Sequence, residues 1–166
     1  KLGAIRGLPE TLELVGVVEP NAGRRKSVNG VKFISEEQLL NTKGLQAVAV
    51  ETRVRDLVPT AARVVASGHH IHLDKPAGPS LPVFEKLVAN AKRQKLTLQM
   101  GYMLRHNTAF QFMFRAVREG WFGDIMEIDA MMGKLGGAGM RRDLAEFSGG
   151  GFFELACHIL DSAMHI

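Results

Sequence analysis

Residues 69–76 read HHIHLDKP and residues 149–165 read GGGFFELACHILDSAMH. These two stretches hold the side chains best suited to chemistry, and three kinds are open to them. The first is metal binding. Glu154, His158, Asp161 and His165 are spaced 4, 3 and 4 residues apart, which lines one helix face with donors. His70 and His72 alternate along an apolar run and so share a strand face. The four helical donors span ~16 Å at 1.5 Å per residue and cannot all reach one ion. A metal would need Glu154 and His158 plus a ligand from elsewhere, and no metal is assigned. The second is nucleophilic catalysis by Cys157, but neighbouring helical residues do not face each other, so a dyad with His158 is disfavoured. The third is proton transfer. A histidine titrates near neutrality, and a lysine ammonium stabilises a developing oxyanion. Lys75, at the end of an apolar run, could supply the ammonium, and a histidine of either stretch the base. His69, His70 and His72 read as packing and strand-end residues.

The elements that must hold these groups follow two textures. From residue 12 to 104, short apolar runs alternate with helical patterns. The runs are LELVGVVE (12–19), VKFI (31–34), AVAVET (47–52), HHIHLD (69–74) and LTLQMGYML (96–104). Ser35 followed by Glu37 and Gln38 predicts a helix start, and Gly68 a helix stop. Continuous apolar strands separated by helices predict a parallel sheet covered on both faces, an α/β fold with a Rossmann-like doubly wound sheet. From residue 105 the pattern changes to an amphipathic helix (NTAFQFMFRAVREG), a strand (IMEIDAMMG), the glycine-rich GKLGGAGM and a final helix. The reading is a nucleotide-binding domain over 1–104 and the beginning of an α+β substrate and oligomerisation domain over 105–166.

The chain of 166 residues is 46% hydrophobic and 23% charged, with a formal charge of +4 and a single cysteine, the composition of an ordinary globular chain with no internal disulfide. The basic residues are scattered without interleaved aromatics, which disfavours nucleic-acid binding. At most the charge supports a preference for anionic small molecules. No apolar run is long enough to span a bilayer, so no membrane segment is expected, and the cytoplasm is the expected compartment.

In a Rossmann half, an acidic residue ending the second strand binds the adenosine ribose. Glu19 closes LELVGVVE in that place, although a solvated strand-end charge is the plainer role. The G-x-G-x-x-G turn that should precede it is missing: Gly3 and Gly7 do not form it. With the central first strand missing, the sheet would have a gap, and the sequence is expected to be part of a longer protein. Arg24 and Arg25 lie just beyond Glu19 within reach of a 2′-phosphate, which would point to NADP, whereas Glu19 would repel it and favours NAD; a solvated helix face accounts for the two arginines equally well.

Two motifs go beyond generic features. One is DKPAG (74–78) at the end of the expected fifth strand, the other GGGFFELACHILD (149–161), with GYMLRHNTAFQFMFRAVREGWFGDI between them. Together they resemble the Gfo/Idh/MocA oxidoreductases, which include glucose–fructose oxidoreductase and inositol dehydrogenase, over nearly the whole chain. The family's G-K-H-V-x-x-E-K-P reads GHHIHLDKP here, with Asp74 for glutamate. Its G-G-G-x-x-x-D-x-G-x-H-x-x-D retains His158 and Asp161 but has Glu154 for aspartate and Ala156 for glycine. The resemblance implies a hydride transfer between NAD or NADP and a secondary alcohol of a sugar, polyol or related compound. Lys75 and His158 would act at the hydroxyl, with Glu154 beside them as a third catalytic group. It further implies substrate contacts from Lys75, Arg105, Glu154, His158 and Asp161, and cofactor contacts from Glu19, Arg24, Thr52, Asp74, Lys75 and Pro76. A cis Lys75–Pro76 bond is also implied, where X–Pro bonds in general are cis about 5–6% of the time. A homo-oligomer is implied for the full-length protein. The alternative is a non-catalytic nucleotide- or sugar-binding sensor of the same fold, suggested by the departures at 74, 154 and 156.

Overall fold

The structure, a computed structural model, describes residues 1–166. Contacts divide the chain into two compact units. The first comprises Lys1–Leu73 and Glu85–Gln99, and the second Asp74–Phe84 and Met100–Ile166.

The first unit begins with three short helices, α1 (Leu2–Arg6), α2 (Ala22–Arg25) and α3 (Glu36–Leu40). A sheet in the order β1 (Ala47–Val50), β2 (His70–Leu73), β3 (Leu98–Met100) follows. Strands β1 and β2 are parallel, with Ala47 opposite His70 and Val50 opposite Leu73. The Ile71 N–H donates to the Thr97 carbonyl at 2.8 Å, tying β2 to the β3 side. The β1–β2 crossover is α4 (Val54–Ala66), and α5 (Leu81–Arg93) comes between β2 and β3 in the chain. Its apolar residues recur at helical spacing, so Leu57, Val58, Ala61, Val64 and Val65 form one buried stripe. Ile71 and Leu73 of β2 are also buried, while His70 at the strand's start is exposed. This is an α/β, Rossmann-like arrangement.

Local signals act where the sequence puts them. Ser35 caps α3 in a capping box, its Oγ accepting the Gln38 N–H while the Gln38 side chain accepts the Ser35 N–H. Gly68 adopts φ +84° after α4, the left-handed stop a glycine provides. The expected strands at 12–19 and 31–34 are corrected by the structure: they meet in one parallel bridge, Val17 to Phe33. Its bonds are Val17 N–H to Lys32 O (2.9 Å) and Ile34 N–H to Val17 O (3.1 Å). A ladder needs partners on its edges, and the three-stranded sheet places none beside these segments.

The second unit contains a 3-10 turn (Met103–His106), α6 (Thr108–Arg118), α7 (Ala138–Leu144) and α8 (Gly150–Ala163). The expected run 96–104 therefore contributes only Leu98–Met100 as strand before turning. The expected strand at 125–133 does not form. Its residues have high β-propensity, but Met126 is 91% and Met131 96% exposed, and without a neighbouring strand propensity alone does not make a strand. Part of the glycine-rich stretch is instead the N-terminal half of α7. No helix in the chain is long and apolar enough to cross a membrane.

Candidate active site

The second unit gathers most of the sequence-singled chemistry on α8. Gly149 (φ +87°) caps the helix and Gly150 (φ +48°) opens it. Both are conformations that a side chain resists, so the GGG run sets the entry that places Glu154 on the second turn. Glu154, His158 and Asp161 then fall at i, i+4 and i+7, and all three are buried, together with Ser162.

Each is held differently. Lys75 follows the end of β2, and its Nζ donates to the Glu154 carbonyl at 3.1 Å and to Glu154 Oε1 at 3.2 Å. Lys134 Nζ lies 3.5 Å from the same oxygen. Glu154 Oε2 has no hydrogen-bond partner, and neither has His158 Nδ1. Asp161 accepts a bidentate clamp from Arg105, with Nε at 2.8 and 3.0 Å and Nη2 also in contact. The Arg105 guanidinium sits 5.3 Å over the Tyr102 ring. That ring in turn meets the His158 imidazole edge-on at 6.3 Å. Ser162 Oγ donates to the His158 carbonyl.

The electrostatics assign protonation states. Burial, then the Lys75 ammonium, pushes His158 below its ordinary value, outweighing the carboxylates of Asp74, Asp161 and Glu154. His158 is therefore a neutral base at pH 7. Burial raises the Cys157 thiol, and its Sγ donates to the Glu154 carbonyl, so this cysteine is a thiol and not a thiolate nucleophile. Tyr102 is likewise raised, chiefly by burial.

Lys75, Glu154, His158, Arg105 and Asp161 are thus brought together. Asp74 acts on the His158 charge, and Pro76 is buried behind a cis Lys75–Pro76 bond, as the resemblance implies. The remaining candidates lie in the first unit. Glu19 Oε1 accepts the Asn21 N–H at 2.8 Å, and Asn21 caps α2. Arg24 is exposed in α2, and it is Arg25 that donates to the Glu19 carbonyl. The Thr52 hydroxyl is exposed and donates to the Arg53 carbonyl. The helical donors do not form a metal cluster. Glu154 is held by lysines and Asp161 by arginine, and the His165 ring packs 5.4 Å from Phe114. His69 contacts Ser67 Oγ, His70 accepts the Thr97 N–H and His72 contacts Gln99.

Sequence reasoning missed Tyr102 and Lys134. Tyr102 lies three residues before Arg105, in the segment between the two motifs. Lys134 lay in the glycine-rich loop, where nothing in the spacing tied it to Glu154.

No protein-family model matches the chain, and no curated protein matches it in sequence. Solved structures do. An oxidoreductase from Thermotoga maritima superposes with TM-score 0.80 at 20% identity, over 99% of this chain and 54% of its own. The WlbA dehydrogenase from Bordetella pertussis, solved with NADH and UDP-GlcNAcA, gives 0.65 at 22%, over 73% and 36%. Myo-inositol 2-dehydrogenase from Lactobacillus plantarum gives 0.62 at 16%, over 69% and 36%. The chain has the fold of these oxidoreductases. It spans about half of their length or less.

Proposed function

We propose that this chain belongs to an NAD(P)-dependent oxidoreductase that moves hydride between a nicotinamide and a secondary alcohol of a sugar, polyol or related compound. Lys75 and His158 act at the reacting hydroxyl. The observation that carries this reading is a buried, neutral histidine with an unpartnered Nδ1, beside a buried carboxylate with an unpartnered Oε2 and a lysine ammonium. Buried polar atoms without partners are rare and call for an explanation. A substrate hydroxyl meets the need of both.

In the oxidising direction the hydroxyl proton passes to His158 Nδ1, and Lys75 Nζ stabilises the oxygen as negative charge develops on it. Glu154 holds Lys75 in place, and Arg105, Asp161 and Tyr102 hold the wall of the site around His158. The nicotinamide, when bound, supplies the hydride acceptor. Glu19 fits the adenosine ribose, because Oε2 is left free to accept a hydroxyl while Oε1 is engaged. Its carboxylate favours NAD over NADP, since it repels a 2′-phosphate. The sequence contains no G-x-G-x-x-G, so no residue is assigned to the pyrophosphate. In this reading residues 1–104 serve nucleotide binding and 105–166 open the substrate-binding part. The assembled protein is a homo-oligomer, supported by the exposed Met126, Met131 and Leu135.

The test is nicotinamide reduction by the full-length protein over a panel of polyols and sugars. Lys75→Ala and His158→Ala should each lower turnover by at least ~10²-fold. Near-normal rates in both variants would remove the assigned roles. Cofactor binding without turnover on any substrate would favour the sensor reading.

A further inference from the structure

We propose that Lys134 is a specificity-determining residue that selects a substrate carrying a carboxylate beside the reacting carbinol, a sugar acid in preference to its neutral counterpart. This rests on the reading of Lys75, Glu154 and His158 as the reacting centre.

Two ammonium groups meet one oxygen, Glu154 Oε1, while Oε2 has no partner. The two lysines are not equivalent. Lys75 is anchored twice, to the carboxylate and to the Glu154 carbonyl, and its side chain is only 14% exposed. Lys134 makes one longer contact of 3.5 Å, and its side chain is 54% exposed. An ion pair of that exposure and length is weak and readily exchanged. Lys134 is therefore the cation free to turn to an incoming carboxylate while Lys75 stays with Glu154. The other nearby cation, Arg105, is committed to Asp161 by three contacts. Lys134 also sits in the loop before α7, which is closed back on itself by Arg141 donating to the Gly136 carbonyl at 3.0 Å.

The same surroundings favour a single negative charge over a double one. The carboxylates of Asp74, Glu154 and Asp161 all act on His158, and they repel a phosphate dianion more than a monoanion. A lysine presents a point charge with no fork geometry of its own, so charge and distance, not hydrogen-bond pattern, set the preference.

The experiment is titration calorimetry on the full chain at low ionic strength, with paired probes. Galactonate is compared with galactitol, and gluconate with sorbitol; glucose 6-phosphate serves as the dianion. Each acid should bind at least ~10-fold tighter than its neutral twin, a difference of about 1.4 kcal/mol. Lys134→Ala should bring that ratio close to one, Lys134→Arg should keep it and Lys134→Glu should invert it. A ratio unchanged in Lys134→Ala overturns the proposal, as does Lys134-dependent binding confined to glucose 6-phosphate. If Lys75→Ala and His158→Ala weaken both members of a pair while the ratio ignores Lys134, only this inference fails. If none of the probes binds, or those two variants change nothing, the underlying reading of the site fails with it.

Discussion

Helices α4 and α8 are of similar length, 13 and 14 residues, and each buries one stripe of side chains. In α4 the stripe is Leu57, Val58, Ala61, Val64 and Val65. In α8 it is Glu154, His158, Asp161 and Ser162, with Ala156 buried on the opposite side. Burial of the first kind returns free energy by removing apolar surface from water. Burial of the second kind costs free energy unless every polar group is paired, and in α8 two atoms are not. The contrast separates a helix that holds the fold together from one that carries a site at some cost to stability.

Perturbing the two stripes should separate their roles. The largest stability effect is expected in α4. Leu57 is 1% exposed, and Leu57→Ala should cost about 2–5 kcal/mol in urea unfolding, the range for a buried leucine truncated to alanine. A loss well under 1 kcal/mol would mean that the α4 stripe is not core. On α8, Asp161→Ala should cost less, about 1–2 kcal/mol, because Arg105 is 45% exposed on its side chain and can turn to water. Its effect on turnover should exceed its effect on stability, and the reverse order would recast Asp161 as a structural residue.

A smaller effect follows from pH. The folded His158 pKa lies below its ordinary value of about 6.5, so between those values the unfolded chain binds more protons. Stability from this group is therefore complete above about 6.5 and is lost as pH falls through the folded value. Urea midpoints should decline on acidification through that window, and His158→Gln should flatten the decline. An unaltered profile would show that His158 is not buried in its neutral form. The smallest change is expected outside both stripes. Ser35→Ala removes the α3 cap and should lower stability by about 1 kcal/mol without altering turnover.

Legibility in the sequence followed the range of the forces involved. Local signals were readable, because a cap or a stop depends on a few adjacent residues. Ser35 with Gln38 and Gly68 behaved as their residue types require. The strands at 47–50 and 70–73 were readable as well, since a long crossover helix between them leaves parallel pairing as the simple solution. The runs at 12–19, 31–34 and 125–133 had the same apolar character and formed at most one bridge. A strand is a property of a pair, and composition does not reveal whether a partner lies alongside.

The site divides in the same way. By itself the sequence determined that Glu154, His158 and Asp161 share a helix face, because 3.6 residues per turn leaves no other arrangement. It also placed Lys75 immediately after a strand. Only the tertiary structure decided that Lys75 reaches Glu154 across 79 residues, that Arg105 clamps Asp161 across 56, and that Lys134 shares the Glu154 carboxylate. Such contacts depend on how elements pack, and so do the burial and neighbouring charge that keep His158 neutral. Helical periodicity chooses the face, but packing chooses which distant charge meets it.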